Sequence, residues 1–113
     1  MKIKDITDML DDFDIPVAYR AFPKEKVPSL PFAVYYYSGT DNFVADDKVS
    51  KVITGLTVEL YTKTKSIATE RKIESVLDAY EIPWEKSEDI EIESEHTVEV
   101  VYNMEVIIDD EQN

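Results

Sequence analysis

Ile3, Ile6, Leu10 and Phe13 recur at the three-and-four spacing of one helical face, while Lys4, Asp8, Asp11 and Asp12 fill other positions. That spacing predicts a helix over residues 2–12. Pro16 stops it, because proline biases the preceding Ile15 away from the helical region and lacks a donor. Val17 to Phe22 reads as a short extended run, and PKEKVPSLP (23–31) as a rigid, exposed connection. Phe32-Ala-Val-Tyr-Tyr-Tyr37 predicts a strand, and residues 38–42 carry turn chemistry. Phe43-Val44-Ala45 either opens a second strand or forms a projecting loop with Asp46, Asp47 and Lys48.

The next apolar run changes phase. Val49, Lys51 and Ile53 share one parity and Leu56, Val58 and Leu60 the other, so a single strand over 49–61 needs a bulge or sharp twist at Gly55. Residues 62–65 form the exit loop, with Thr64 or Ser66 as the cap of a helix over 66–80. Its buried stripe is Ile73, Val76, Leu77 and Tyr80, with Arg71, Lys72, Glu74 and Asp78 outward. Beyond Pro83, Trp84 begins a strand, Ile90 and Ile92 alternate with Glu91, Glu93 and Glu95 on a one-sided strand, and Val98, Val100, Tyr102, Met104 and Val106 alternate along a final long one. Residues 109–113 read as a frayed tail. The predicted fold is α+β: one domain over 1–113, a mostly antiparallel sheet with two helices packed on one face.

Composition narrows the chemistry. The 113 residues suit one domain, and 43% hydrophobic content supplies one modest core. Cysteine is absent, which excludes disulfides, thiol nucleophiles and thiolate metal sites. Neither a signal peptide nor a run of 18 apolar residues is present, so no membrane association is expected. The 25 acids outnumber 12 Lys and Arg, giving a net charge of −13. After Lys86 come ten acids (Glu88, Asp89, Glu91, Glu93, Glu95, Glu99, Glu105, Asp109, Asp110, Glu111) and no cation. Such a surface repels phosphate, so direct nucleic-acid binding is not expected. It serves solubility, acidic docking, or DNA passing without adhering.

No catalytic constellation emerges, and the chain reads as a non-enzyme. His96 is the only histidine, no serine lies in a G-x-S-x-G turn, and two glycines cannot shape an oxyanion loop. Glu91, Glu93 and Glu95 would stand ~7 Å apart on one strand face, which overlaps a glycosidase pair but is also what a solvated strand looks like. The Asp11-Asp12-Phe13-Asp14 and Asp109-Asp110-Glu111 clusters lack the glycine and distal glutamate of a calcium loop, so neither metal nor cofactor is expected. The candidate functional residues are instead interfacial: Tyr35, Tyr36 and Tyr37, whose rings alternate across a strand, and Phe43 and Val44, apolar among acids.

Several stretches resemble a family of small structural proteins of siphophages and prophages of Gram-positive bacteria. They are IPVAYRAFP (15–23), PSLPFAVYYYSGTDNFVADDKV (28–49), TGLTVELYTKTK (54–65), IESVLDAY (73–80) and IPWEKSEDIEIESE (82–95). Ser50 and His96-Thr97 depart from the bulkier residues of the family pattern. The resemblance implies a tail terminator or tail-completion role. It implies a homo-oligomeric ring, typically of six, on the tail tube, where it meets the head connector. The implied location is the host cytoplasm during assembly and the virion tail or neck afterwards. An acidic, DNA-mimicking inhibitor of a basic DNA-binding protein is the alternative.

Overall fold

The computed structural model describes residues 1–109. Helix α1 spans Ile3–Asp11 and buries Ile6, Met9 and Leu10. Its first turn is closed by Asp5, whose carboxylate accepts the Lys2 N–H at 2.7 Å. Phe13, just past the helix, is buried as the apolar spacing requires, whereas Ile3 stays 39% exposed. The chain then turns through Asp14 with a positive φ of 62°.

Strand β1 (Val17–Tyr19) is shorter than the extended run expected over 17–22, because Arg20 enters the left-handed region at φ 66°. It pairs in parallel with β2 (Phe32–Thr40), Val17 opposite Ala33, after a crossover containing a 3₁₀ turn at Lys24–Lys26. Two short strands follow, β3 (Phe43–Ala45) and β4 (Lys48–Lys51), which pair only with each other. Strand β5 (Ile53–Thr62) is central, flanked by β2 and by β8 (Thr97–Ile107).

The expected single strand over 49–61 is thus two strands, and the bulge is not in β5. The β5–β8 register runs unbroken from Ile53 opposite Ile107 to Thr62 opposite Val98. The parity change falls at Val52, where the chain leaves one sheet and enters another. The irregularity lies on β2 instead: Tyr37 faces Leu56 but Thr40 faces Thr54, so β2 holds one additional residue at Ser38-Gly39. Gly39 adopts φ 104°, a conformation that glycine tolerates best. Gly55 answers it across the ladder, since a Cβ there would collide with Ser38 Oγ. The turn chemistry read at 38–42 therefore becomes a bulge that prolongs the strand.

Helix α2 (Ile67–Ala79) begins at Ser66, whose Oγ accepts the Thr69 N–H at 3.2 Å. Ile73, Val76 and Leu77 face the core as expected, and Tyr80 is half-buried. Glu74 does not point outward; it turns toward the sheet and accepts a hydrogen bond from Tyr102. Strands β6 (Trp84–Lys86) and β7 (Ile90–Ile92) both pair with β8, on the edge away from β5. The strand expected through Glu95 stops at Ile92, and Glu93–Glu95 curl into a 3₁₀ turn. Asp109 is anchored rather than frayed: its N–H donates to Met1 O and its carboxylate pairs with the N-terminal ammonium at 3.1 Å. The remainder of the expected tail, 110–113, lies outside the described residues.

The main sheet therefore runs β1-β2-β5-β8-β6, antiparallel except at β1, with β7 beside β8. Alternation assigns Ala33, Leu56, Val58, Leu60, Val100, Tyr102 and Met104 to one face, where they pack with Ile6, Phe13, Ile73 and Leu77. Both helices cover that face. The other face carries no helix, and it and the β3–β4 hairpin hold the surfaces of functional interest.

Candidate interaction surfaces

The β3–β4 hairpin is built for a two-residue turn. Asp46 and Asp47 take φ of 52° and 60°, the doubly left-handed geometry that matches strand twist, and aspartate accepts it more readily than most residues. Val44 faces Val49 across the pair. Every strand residue of the hairpin is exposed, with Phe43, Val44 and Val49 at 57, 58 and 53%, and Val52 just after it is 46% exposed. The residues at 43–45 are thus both a strand and a projection. The hairpin stands off the body: the radius of gyration is 15.4 Å, against ~13 Å for a compact chain of this length. An isolated two-stranded hairpin is at best marginally stable in water, so four apolar side chains on and beside it lack the burial that normally justifies them.

Tyr35, Tyr36 and Tyr37 lie on the main sheet and divide between its faces. Tyr35 and Tyr37 pack at the margin of the helix-covered core, edge to face with centroids 6.3 Å apart, and Tyr19 adds a third ring 5.1 Å from Tyr35. Burial raises the Tyr35 hydroxyl above its ordinary value. Tyr36 points to the helix-free face, donates to Glu59 at 3.0 Å, and lies 5.1 Å beneath the Arg20 guanidinium. Phe43 and Val44 belong to the separate hairpin, so the five interface candidates form two groups.

The helix-free face is a polar ladder. The Tyr61 hydroxyl lies 2.8 Å from a Glu59 oxygen and 2.9 Å from a Glu99 oxygen, either of which can accept its single proton, and Thr57 donates to Asn103 at 2.9 Å. Burial, then the two carboxylates, push the Tyr61 hydroxyl strongly upward, so it remains a donor. The register places Glu85 and Glu105 on the same face as Glu59 and Glu99. Toward the Tyr61 end, this face opens into a groove of about 650 Å³ lined by Phe22, Val27, Leu30, Phe32, Val34 and Ile92, with Arg20 and Glu95 on its walls.

One charged cluster was not visible in the helical pattern. Glu70 is 2% exposed and lies between Lys65 and Lys86, at 2.8 and 2.9 Å. Lys86 also reaches Glu74 at 2.7 Å, and Lys65 reaches Asp89 at 2.6 Å. These contacts raise both ammonium groups above their usual range. The available signal was spacing: Glu70 falls three and seven residues before Ile73 and Leu77, on the apolar stripe itself. The carboxylates serve as anchors for lysines on the loop after β5 and on β6.

The other candidates are scattered. His96 is exposed, with φ 50° at the end of the 3₁₀ turn before β8. Glu91 lies on β7, whereas Glu93 and Glu95 are in the turn, so the three do not share a strand face. Among the described residues, no three histidine or carboxylate side chains converge as metal ligands would. No described helix is long and apolar enough to cross a membrane. No protein-family model matches the chain, and no curated protein matches it significantly.

Proposed function

We propose that this chain is a non-catalytic assembly subunit that joins copies of itself into a ring, as tail terminators do at the head-proximal end of a phage tail tube. On this reading it assembles in the host cytoplasm and remains in the virion neck, between tube and head connector. The observation that carries the reading is the projecting hairpin, with Phe43, Val44 and Val49 on it and Val52 just after it uncovered. Apolar side chains on so thin an element gain burial only from another chain. The helix-free face gives secondary support. Turned toward a lumen, Glu59, Glu85, Glu99 and Glu105 would present like charge to passing DNA. The phage-tail assignment itself draws on the sequence resemblance in the segments quoted above.

Electron microscopy of tails assembled without the chain tests the reading. Abnormally long tails are the expected outcome for termination, and tails of normal length lacking heads for joining. Normal, head-bearing particles would exclude both. The DNA-mimicking alternative draws less support, because the expected row of strand glutamates breaks after Ile92.

A further inference from the structure

Between Lys86 and Thr97 the chain follows the outer edge of β8 without burying a residue; only Ser87 and Ile92 are half-covered. Both ends of this stretch are fixed. Lys86 is held by the buried Glu70 at 2.9 Å and by Glu74 at 2.7 Å, while Thr97 is itself buried. The part between rests on few contacts. They are the three residue pairs of the β7–β8 ladder and the Lys65–Asp89 ion pair at 2.6 Å. To these Ser87 adds its N–H on Val101 O at 2.9 Å and its Oγ, which accepts the Val101 N–H at 3.1 Å. A segment held by exposed polar contacts, with little apolar burial, opens at a lower free energy than the core.

We infer that residues 87–96 form a hinged strap, latched by Lys65 and Asp89, which opens without unfolding the sheet and moves one wall of the groove. Lys65 is the fixed half of the latch. The buried Glu70 keeps hold of it at 2.8 Å, so release breaks only its exposed contact with Asp89. Charge loads the strap toward release. It carries Glu88, Asp89, Glu91, Glu93 and Glu95 and no Lys or Arg, and among the described residues only Asp89 of these is ion-paired. His96, at φ 50°, turns the chain at the far hinge. Ile92 and Glu95 line the groove together with Phe22 and Leu30 from the segment before β2, so displacing the strap changes the groove's shape. The strap is a property of one copy and stands apart from the ring reading.

Amide exchange of the full-length wild type in low urea, followed by NMR, tests the opening. The hydrogen-bonded amides of β7 should exchange by a route nearly independent of urea, whereas those of β5 follow global unfolding. Asp89→Asn should speed β7 exchange about fivefold, the scale of one exposed ion pair. Tyr80→Phe removes a 3.0 Å bond to Asp12 outside the strap, so it should speed β5 exchange and leave β7 unchanged. Asp89→Asn should also shift the Leu30 methyl resonances on the groove wall and not those of Leu60 in the core. Exchange of β7 with the full urea dependence of β5, or its acceleration by Tyr80→Phe, would overturn the strap. Unaltered β7 exchange in Asp89→Asn would overturn the latch. Faster β7 exchange with Leu30 unmoved would overturn the coupling to the groove.

Discussion

Tyr102 and Glu70 show how single residues hold the helix-covered side together. Tyr102 is fully buried, and its hydroxyl donates to Glu74 at 2.7 Å. Burial, then Glu74, raise its pKa well above the ordinary tyrosine value. A proton held by the folded form but lost from the unfolded one stabilises below the unfolded pKa, ~10, and that stability falls as pH rises further. Tyr61, Lys65 and Lys86, all shifted upward, act in the same sense. Urea midpoints should therefore decline steeply between about pH 10 and 11.5. Tyr102→Phe should cost about 1.5 kcal/mol at pH 7 and flatten that decline; an unchanged slope would remove Tyr102 from the account. Glu70→Ala should cost about 2 kcal/mol, less than the ~3–5 of a fully buried pair because both lysines keep water contact. Asp8→Ala, which loses only an i,i+4 pair with an 81% exposed Lys4, should leave the urea midpoint nearly unchanged.

Among the elements, the hairpin is the one whose removal leaves the core intact. Asp41 N–H donates to Ile53 O at 2.8 Å, closing the β2–β5 ladder just before the hairpin begins. Replacing residues 42–52 by Asn-Gly should keep stability within about 1 kcal/mol while abolishing self-association, as read by urea denaturation and sedimentation. A large loss of stability would show that the hairpin packs on the body after all. The two helices and β8 were legible in the sequence because Ile6, Leu10, Ile73, Leu77 and Val100 to Val106 repeat at unambiguous periods. The phase change near Gly55 was visible but ambiguous, because a bulge and a strand break shift parity identically. Only the partner strands place the break at Val52 and the bulge at Ser38-Gly39. Glu74 borders the apolar stripe, and its inward turn depends on Tyr102 and Lys86 from distant strands. Phe43 and Val44 drew attention as apolar residues among acids. The groove drew none, since its walls come from four separate stretches of chain around 20–22, 27–34, Tyr61 and 92–97.

At the scale of the whole molecule, two opposing electrostatic effects would decide how copies meet in the proposed ring. Each copy carries a net charge of −13, so neighbours in the proposed ring would repel along their full shared length. Attraction between exposed side chains of opposite charge is local, worth at most ~1 kcal/mol per pair. Apolar burial of Phe43, Val44 and Val49 is insensitive to screening at these salt levels. Raising ionic strength from 0.01 to 0.15 M shortens the screening length from ~30 to ~8 Å. The long-range repulsion between bodies 26–29 Å across is then largely removed, whereas ion pairs in contact are weakened only in part. Association should therefore strengthen with salt over this range, by sedimentation equilibrium at fixed pH 7. Dissociation on adding salt would mean that ion pairs, and not the apolar hairpin, dominate the contact. A Lys24→Glu, Lys26→Glu variant takes the net charge from −13 to −17 by replacing two cations with two acids. It should show the steeper salt dependence, since it adds repulsion while leaving the apolar hairpin unchanged.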